Sequence, residues 1–386
     1  MDTLLKKGIL YDYLQVQGGA EQVALMLSEY YDGSQQADGS QLLVSSINPE
    51  NFDLSLPAMQ NIQTLQSFSS IAPLRILKTI YSFKQSQSYI NQFEQIIYSG
   101  LYAPLAIKQR SCGNNFYYCH TPPRYLYDLK DYYQQKLNAI GRLLLQGFSA
   151  WYQPQYEQSL QQMDKVIANS INVQKRLKHY LNIDSIVINP PVNIDRFKWL
   201  GQGDYYLSLA RLEPYKQVDK IIEAFKQMPD QKLLIASGGS DYERLKQLAV
   251  SAPNISFTGW CSEAELVQLL GNAIASVYIA KDEDFGLSPV ESQASGKPVI
   301  ALAQGALLET VKHGETGYFI EPELINNNLK KNKVIENKYL IDAIIKATEW
   351  MTPQRALSLK NACLDNAKNY HPGLFFEQMN VLLNNE

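Results

Sequence analysis

Long apolar runs are missing from this chain of 386 residues. No stretch reaches the roughly 18 consecutive apolar residues that a membrane-crossing helix needs, so a transmembrane helix is not expected. Cysteine is sparse. Cys112, Cys119, Cys261 and Cys363 follow neither the paired spacing of a zinc site nor a dense disulfide pattern, and they read as reduced core thiols. A basic excess is also absent: 35 Lys and Arg stand against 38 Asp and Glu, for a net charge of -3, which argues against a general nucleic-acid binder. The first residues, Met-Asp-Thr-Leu-Leu-Lys-Lys, lack the apolar centre of a signal peptide, so a cytoplasmic location is expected. No Gly-x-Gly-x-x-Gly follows the pair Gly238-Gly239, which leaves a nicotinamide enzyme unsupported.

What is present is a chain 45% hydrophobic, too long for one typical core and suited to two domains. Tyrosine is plentiful, with 25 copies. Most are expected to pack with the ring buried and the hydroxyl at a wet edge.

The most informative stretch lies in the second half. Apolar residues 274–280 have the length of a central parallel strand, and Ser288, Pro289 and Glu291 stand in the order N-cap, first-turn proline and N3 glutamate. A helix is therefore predicted from Ser288. Its amides, with those of Phe285, Gly286 and Leu287, would face a ligand at the carboxyl end of the strand and favour an anion. Glu283 and Glu291, with seven residues between them, can point into one pocket. Glu291 also fits an ordinary capping box, and local pattern leaves both readings open. Asp282-Glu283-Asp284 is in addition an Asp-x-Asp, a pattern that can chelate a divalent metal.

Along the first half, residues 8–13 and 42–46 read as strands and residues 20–31 as a helix, with Gly18-Gly19 at the first strand-to-helix joint, where a phosphate can approach. Residues 71–83 form an amphipathic pattern carrying Arg75 and Lys78, with Lys84 after it. It suits either an anionic membrane or an ordinary solvated face. Residues 116–119 read as a strand delivering His120 to its carboxyl end, with Pro122 and Pro123 blocking a helix. Residues 165–169 form another strand, and Ser170 caps a helix whose late cations complement its dipole.

In the second half, residues 205–210, 232–237, 254–258 and 298–303 read as strands, and Ser262-x-x-Glu265 caps a helix. Arg211 and Lys216 flank the first of these strands and the helix after it. Residues 326–338, rich in Asn and Lys, read as a surface insertion.

Glu-x-Phe-Gly-x4-Glu followed by Ala-Ser-Gly-Lys-Pro-Val-Ile, together with Ser-Leu-Ala-Arg-Leu-x3-Lys, resembles the family 4 retaining glycosyltransferases. Tyr-Cys-His-Thr-Pro-Pro-Arg-Tyr-Leu-Tyr-Asp is similar to a segment of the bacterial branch that transfers mannose in O-antigen-type polysaccharide synthesis; Pro123 and Tyr127 replace a Met and a Trp there. The resemblance implies an α/β chain of GT-B architecture, two doubly wound Rossmann-like domains facing across a cleft. Their expected bounds are 1–200 on the acceptor side and 203–370 on the nucleotide-sugar side, with residues 371–386 as a helix returning to the first domain.

By the same resemblance Arg211 and Lys216 bind the donor diphosphate, with Gly18 and Gly19 beside it and Gly238 at a matching strand end. Glu283 contacts donor-sugar hydroxyls and Glu291 the ribose. Trp260 and Cys261 border the base, His120 lies beside the transferred sugar and Arg124 on the acceptor side. The family usually carries Gly-Gly where this chain has Gly305-Ala306. The implied reaction is a retaining, metal-independent transfer of a hexosyl group, mannose from GDP-mannose, to a glycan or polyprenyl-linked oligosaccharide, with no cofactor, at the inner face of the membrane. A UDP-sugar donor, a catalytically silent sugar-nucleotide-binding partner and a sugar-nucleotide epimerase are the alternatives.

Overall fold

A computed structural model describes residues 5–16, 18–33, 40–52, 59, 61–66, 68–322 and 333–384. The chain divides into two compact units, Met1–Ile188 and Asn189–Glu386.

The first unit holds a parallel sheet made from β1 (Leu5–Tyr11), β2 (Ser40–Val44), β3 (Ile62–Thr64), β4 (Phe93–Ser99), β5 (Asn114–Cys119), β6 (Lys165–Ala168) and β7 (Ile186–Val187). Their order is β3-β2-β1-β4-β5-β6-β7. Strands covered on both faces must be apolar throughout, and Ile9 and Leu10 of β1, Ile96 and Ile97 of β4 and Phe116 of β5 are buried accordingly. Five tyrosines depart from the wet-edge arrangement expected of most. Tyr98, Tyr117, Tyr118, Tyr152 and Tyr156 are wholly buried rather than placed at a wet edge. Their hydroxyls are bonded internally: Tyr98 donates to Asn115 at 3.0 Å, Tyr118 to the Ile188 carbonyl at 2.9 Å, and Tyr117 lies 3.1 Å from the Tyr156 hydroxyl. Buried hydroxyls without partners would be costly, so the internal network makes the tyrosine-rich core possible.

The second unit repeats the plan with β8 (Tyr205–Ser208), β9 (Lys232–Ile235), β10 (Ile255–Phe257), β11 (Ser276–Tyr278), β12 (Val299–Leu302) and β13 (Gly317–Ile320). These parallel strands run in the order β10-β9-β8-β11-β12-β13. Both sheets therefore reverse their winding once, between β1 and β4 and between β8 and β11. At such a reversal the connections leave in opposite directions and open a crevice at the carboxyl ends. Helix Val218–Lys226 buries Val218, Ile221, Ile222 and Phe225 against the second sheet, the spacing of one apolar helix face.

Several expectations change. Cys119 and Cys363 are buried, but Cys112 is exposed and Cys261 only partly covered, so two of the four thiols are not in a core. Arg75 lies on helix Ala72–Lys84 yet is buried, donating to the carbonyls of Ser69 and Ser70 and stacking over Tyr13. It is not a surface cation. Residues 1–4, where the N-terminal reading began, and residues 326–332 of the expected insertion lie outside the described residues; from Lys333 the chain is helical to Trp350. The last helix is Pro372–Asn384.

Candidate active site

A buried polar cluster of the second unit sits where its sheet reverses. Beyond β8 the chain passes Arg211 and a short 3-10 turn, Pro214–Lys216, and Gln217 takes a left-handed conformation (φ +58°) before the next helix. Beyond β11 it runs through Lys281 to Glu283. Two bonds lace these loops together. Gln217 Nε2 donates to the Ile279 carbonyl at 2.9 Å, and the Lys281 amide donates to the Tyr215 carbonyl at 3.2 Å.

That lacing brings Lys216 Nζ to 2.5 Å from Glu283 Oε2 and 3.3 Å from the Tyr278 hydroxyl, while the Tyr278 hydroxyl donates to the same carboxylate oxygen at 3.1 Å. The Lys216 and Glu283 side chains keep only 13% and 11% of their exposure, so solvent screens the pair weakly. Burial pulls the Lys216 pKa down, but the Glu283 carboxylate outweighs it and the ammonium is held charged, with its pKa raised. A cation is thus in place before any ligand arrives.

The loop that presents Glu283 depends on a close approach. Gly305 has φ +63°, and a Cβ there would lie 2.7 Å from the Glu283 backbone nitrogen and oxygen. Ala306, where the family usually has a second glycine, has ordinary helical dihedrals and donates its amide to the Glu283 carbonyl at 3.0 Å. The alanine fits this loop without strain.

Glu291 is not a capping residue. The helix runs Leu287–Ala294 with Gly286 (φ +88°) as its N-cap and no side-chain cap bond. It starts one residue before the predicted Ser288, which puts Glu291 too deep in the helix to reach the N-cap amide. Glu291 is buried and instead accepts from Arg196 Nη2 at 3.2 Å, while Arg196 Nη1 donates to Glu263 at 2.8 Å. Burial raises the Glu291 pKa against the pull of Arg196. Arg196 and Glu263 were not singled out in the sequence. Arg196 stands in Asn-Ile-Asp-Arg-Phe, a stretch whose only signal was its position between the two halves.

The other candidates of the unit are placed by their own contacts. Arg211 is exposed, and its guanidinium makes no hydrogen bond or ion pair among the described residues. Trp260 is 68% exposed and so does not pack in a core. Its indole lies against Gly238, where a Cβ would come 2.4 Å from the indole nitrogen. Cys261 Sγ is 3.0 Å from the Thr258 hydroxyl. Phe285 is buried and meets Tyr370 edge-on, Gly286 turns the chain, and Leu287 is partly buried. Among the described residues no three His, Cys, Asp or Glu side chains group as metal ligands.

In the first unit, Gly19 opens helix Gly19–Gly33 and the Gly18 carbonyl accepts from the Gln22 amide at 3.0 Å. At the reversal of this sheet sits Asp12, which the sequence reading missed because a single Asp at a strand end carries no pattern. Its carboxylate accepts the amides of Leu101, Tyr102 and Ala103 at 2.6, 2.7 and 2.8 Å. Burial pushes its pKa up to about 6 against those three donors. His120 follows β5, with Nε2 2.9 Å from Ser99 Oγ and its ring edge-on to Tyr118. Burial lowers its pKa to about 4, so the imidazole is neutral. Arg124 is engaged: Nε and Nη2 donate to Asp128 Oδ2 at 2.8 and 2.6 Å.

Comparison with known proteins shows what this chain is similar to. The model described as Glycosyl transferases group 1 matches residues 193–349. The alpha-1,3/1,6-mannosyltransferase ALG2 of Dictyostelium discoideum is 28% identical over 195 residues, which is 44% of this chain and 45% of that protein. The chain spans about half the length of the first curated relatives it matches, between 43% and 49%. Sucrose-phosphate synthase from Thermosynechococcus elongatus shares the fold over 98% of both chains, with a TM-score of 0.73 and 18% identity. Anabaena HepE, crystallised with UDP and glucose, shares it over 98% of this chain and 99% of its own, with a TM-score of 0.70 and 17% identity. The whole-chain likeness is one of fold, the GT-B glycosyltransferase architecture expected from the motifs. The stretch that the glycosyl transferases group 1 model matches, residues 193–349, is the one that holds Lys216, Glu283 and Glu291.

Proposed function

We propose that this chain is a retaining, metal-independent hexosyltransferase that moves mannose from GDP-mannose to a hydroxyl of a glycan or polyprenyl-linked oligosaccharide, in cell-surface polysaccharide synthesis at the inner face of the membrane. The observation that carries the reading is the buried Lys216–Glu283 pair at the reversal point of the second sheet, with Arg211 on the same loop as Lys216.

A sugar nucleotide needs what this cluster offers. When the bond from the sugar's anomeric carbon to the diphosphate oxygen breaks, negative charge grows on the leaving diphosphate, and cations fixed in advance stabilise that transition state more than the ground state. Arg211 and Lys216 have this role. Glu283 accepts from hydroxyls of the sugar, Glu291 from the ribose, and Trp260 and Cys261 border the base.

Gly18 and Gly19 approach the diphosphate, Gly238 borders the nucleotide, and the amides of Phe285, Gly286 and Leu287 face the donor. His120, neutral at working pH, accompanies the transferred sugar, and Arg124 serves the acceptor side. The new bond forms between the anomeric carbon and the acceptor oxygen on the face the diphosphate leaves, and the acceptor proton passes to a donor phosphate oxygen. No protein nucleophile is required.

Mannose is favoured by the Tyr-Cys-His-Thr-Pro segment and by the mannosyltransferase among the relatives. A UDP-sugar is the second reading, suggested by the fold shared with HepE, whose crystals hold UDP and glucose. Titration with GDP-mannose, UDP-glucose, UDP-N-acetylglucosamine and UDP-galactose, followed by thermal stabilisation, decides between them, because a ligand at 100 times its dissociation constant adds about 2.7 kcal/mol. Selective response to GDP-mannose supports mannose transfer. Response to a UDP-sugar alone overturns the donor, and donor turnover without acceptor overturns the transferase.

A further inference from the structure

Two helices of the first unit hold apolar side chains out in solvent. On Ala72–Lys84 the exposed residues are Leu74, Leu77 and Tyr81, with Ile71 just before them. On Ala139–Leu160, Ile140 is 70% exposed and Leu143 and Leu144 are each 69% exposed. Single exposed leucines are ordinary, but three together at this level on one helix are not. Ile140, Leu144 and Trp151 fall on one side of that helix, by its 3.6-residue period. The helix end is finished rather than frayed, since the Asn138 side chain accepts from the Gly141 amide at 2.8 Å.

The two helices meet at one end of the first. Lys84, at the end of the first helix, donates to Gln155 of the second at 2.5 Å and lies 4.8 Å from the centre of the Trp151 ring.

Charge separates this face from the rest of the chain. The chain carries 38 carboxylate residues and a net charge of -3, yet residues 54–93 and 132–156, which contain nearly all of both helices, include no Asp or Glu. Arg75 is buried, so the surface cations of these stretches are Lys78, Lys84, Lys136 and Arg142. A second copy docked here about a two-fold axis would set these cations against themselves. An anionic bilayer accepts both the leucines and the cations.

We propose that this face docks on an anionic lipid bilayer, with the first turns of helix Ala139–Leu160 entering the boundary between headgroups and acyl chains and the four cations meeting lipid phosphates. This deepens the reading of a lipid-linked acceptor by naming the surface that reaches the lipid. It does not depend on which sugar is transferred.

The test is sedimentation of the full chain with vesicles of phosphatidylcholine alone and of phosphatidylcholine mixed with phosphatidylglycerol. The chain should pellet with the mixed vesicles, less so as salt rises, and hardly with the neutral ones. Lys78→Gln and Arg142→Gln should each weaken binding about fivefold, the worth of one cation near an anionic surface. Leu143→Asp with Leu144→Asp should weaken it tenfold or more, while the thermal response to sugar nucleotides stays that of the parent chain. Failure of the parent chain to pellet, or unchanged pelleting of the aspartate variant, overturns the proposal. So does a dimer in sedimentation velocity that the same variant splits, which would make the face a self-interface. A chain that answers no sugar nucleotide but still pellets with phosphatidylglycerol vesicles refutes the donor reading and leaves this one standing.

Discussion

Arg196 donates to Glu291 across 3.2 Å and so holds, on a buried helix, a glutamate whose spacing alone would suit a helix cap. The other arm of the guanidinium reaches Glu263 at 2.8 Å, which ties two helices to one cation.

If Arg196 positions Glu291, then Arg196→Ala leaves a buried carboxylate without its partner. The expected outcome is a loss of about 1–3 kcal/mol in denaturant unfolding, together with a tenfold or greater weakening of nucleotide binding. Arg196→Lys should recover part of the stability but less of the binding, because an ammonium cannot span two carboxylates as a planar fork does. Glu291→Gln should mainly weaken nucleotide binding. A stability loss with unchanged binding would remove Glu291 from the site.

Lys216→Ala should lower turnover on the order of 100-fold at saturating donor, the scale of losing one transition-state charge stabiliser. Removing the cation also strands Glu283, so a second variant is informative: Glu283→Gln keeps Lys216 and should impair use of the sugar more than binding of the free nucleoside diphosphate. Parent-like turnover of Lys216→Ala would take the residue out of the diphosphate site.

His120 titrates at about 4 instead of its ordinary 6.5. A histidine with a depressed folded pKa contributes stability that is complete above 6.5 and is lost as pH falls through about 4, because the unfolded chain takes the proton first. His120 therefore pulls chemical-denaturant stability down from pH 6.5 toward 4, while Asp12, with its pKa raised to about 6, pushes it up over the lower part of that range; His120→Gln should remove the downward part, so that the variant gains on the parent chain as pH falls. In proton NMR the ring should stay neutral from pH 5 to 8; a midpoint near 6.5 would refute the buried, neutral imidazole.

Gly305→Ala should destabilise the chain by about 1–3 kcal/mol, through its positive φ and the 2.7 Å clash with the Glu283 backbone, and should cost activity by displacing Glu283. Ala306→Gly restores the family's glycine pair but loosens a residue already in helical geometry, so the expected change is a loss of about 0.5–1 kcal/mol. Equal effects of the two substitutions would contradict the loop geometry.

The motif residues were legible because their chemistry is local. Glu283 and Lys216 each stand in a short pattern, and Ser262 with Glu265 forms the capping box its spacing announced. Helix Ala139–Leu160 was not singled out, since Pro154 lies inside it and Leu143-Leu144-Leu145 break a helical period, both ordinarily signs against a helix. Strand β4 begins with Phe-Glu-Gln and leaves only a three-residue apolar run, too short to separate from a buried turn.

By itself the sequence determined the alternation of short apolar strands with amphipathic helices, and hence two doubly wound sheets, because strand and helix periods are properties of neighbouring residues. Tertiary structure alone decided side-chain partners: Lys216 with Glu283 across 67 positions, and Arg196 with Glu291 across 95. It also buried Arg75 and exposed Leu143 and Leu144. Pairing and burial depend on which strand ends a sheet reversal brings together, and that is set by the packing of the whole unit rather than by any local run of residues.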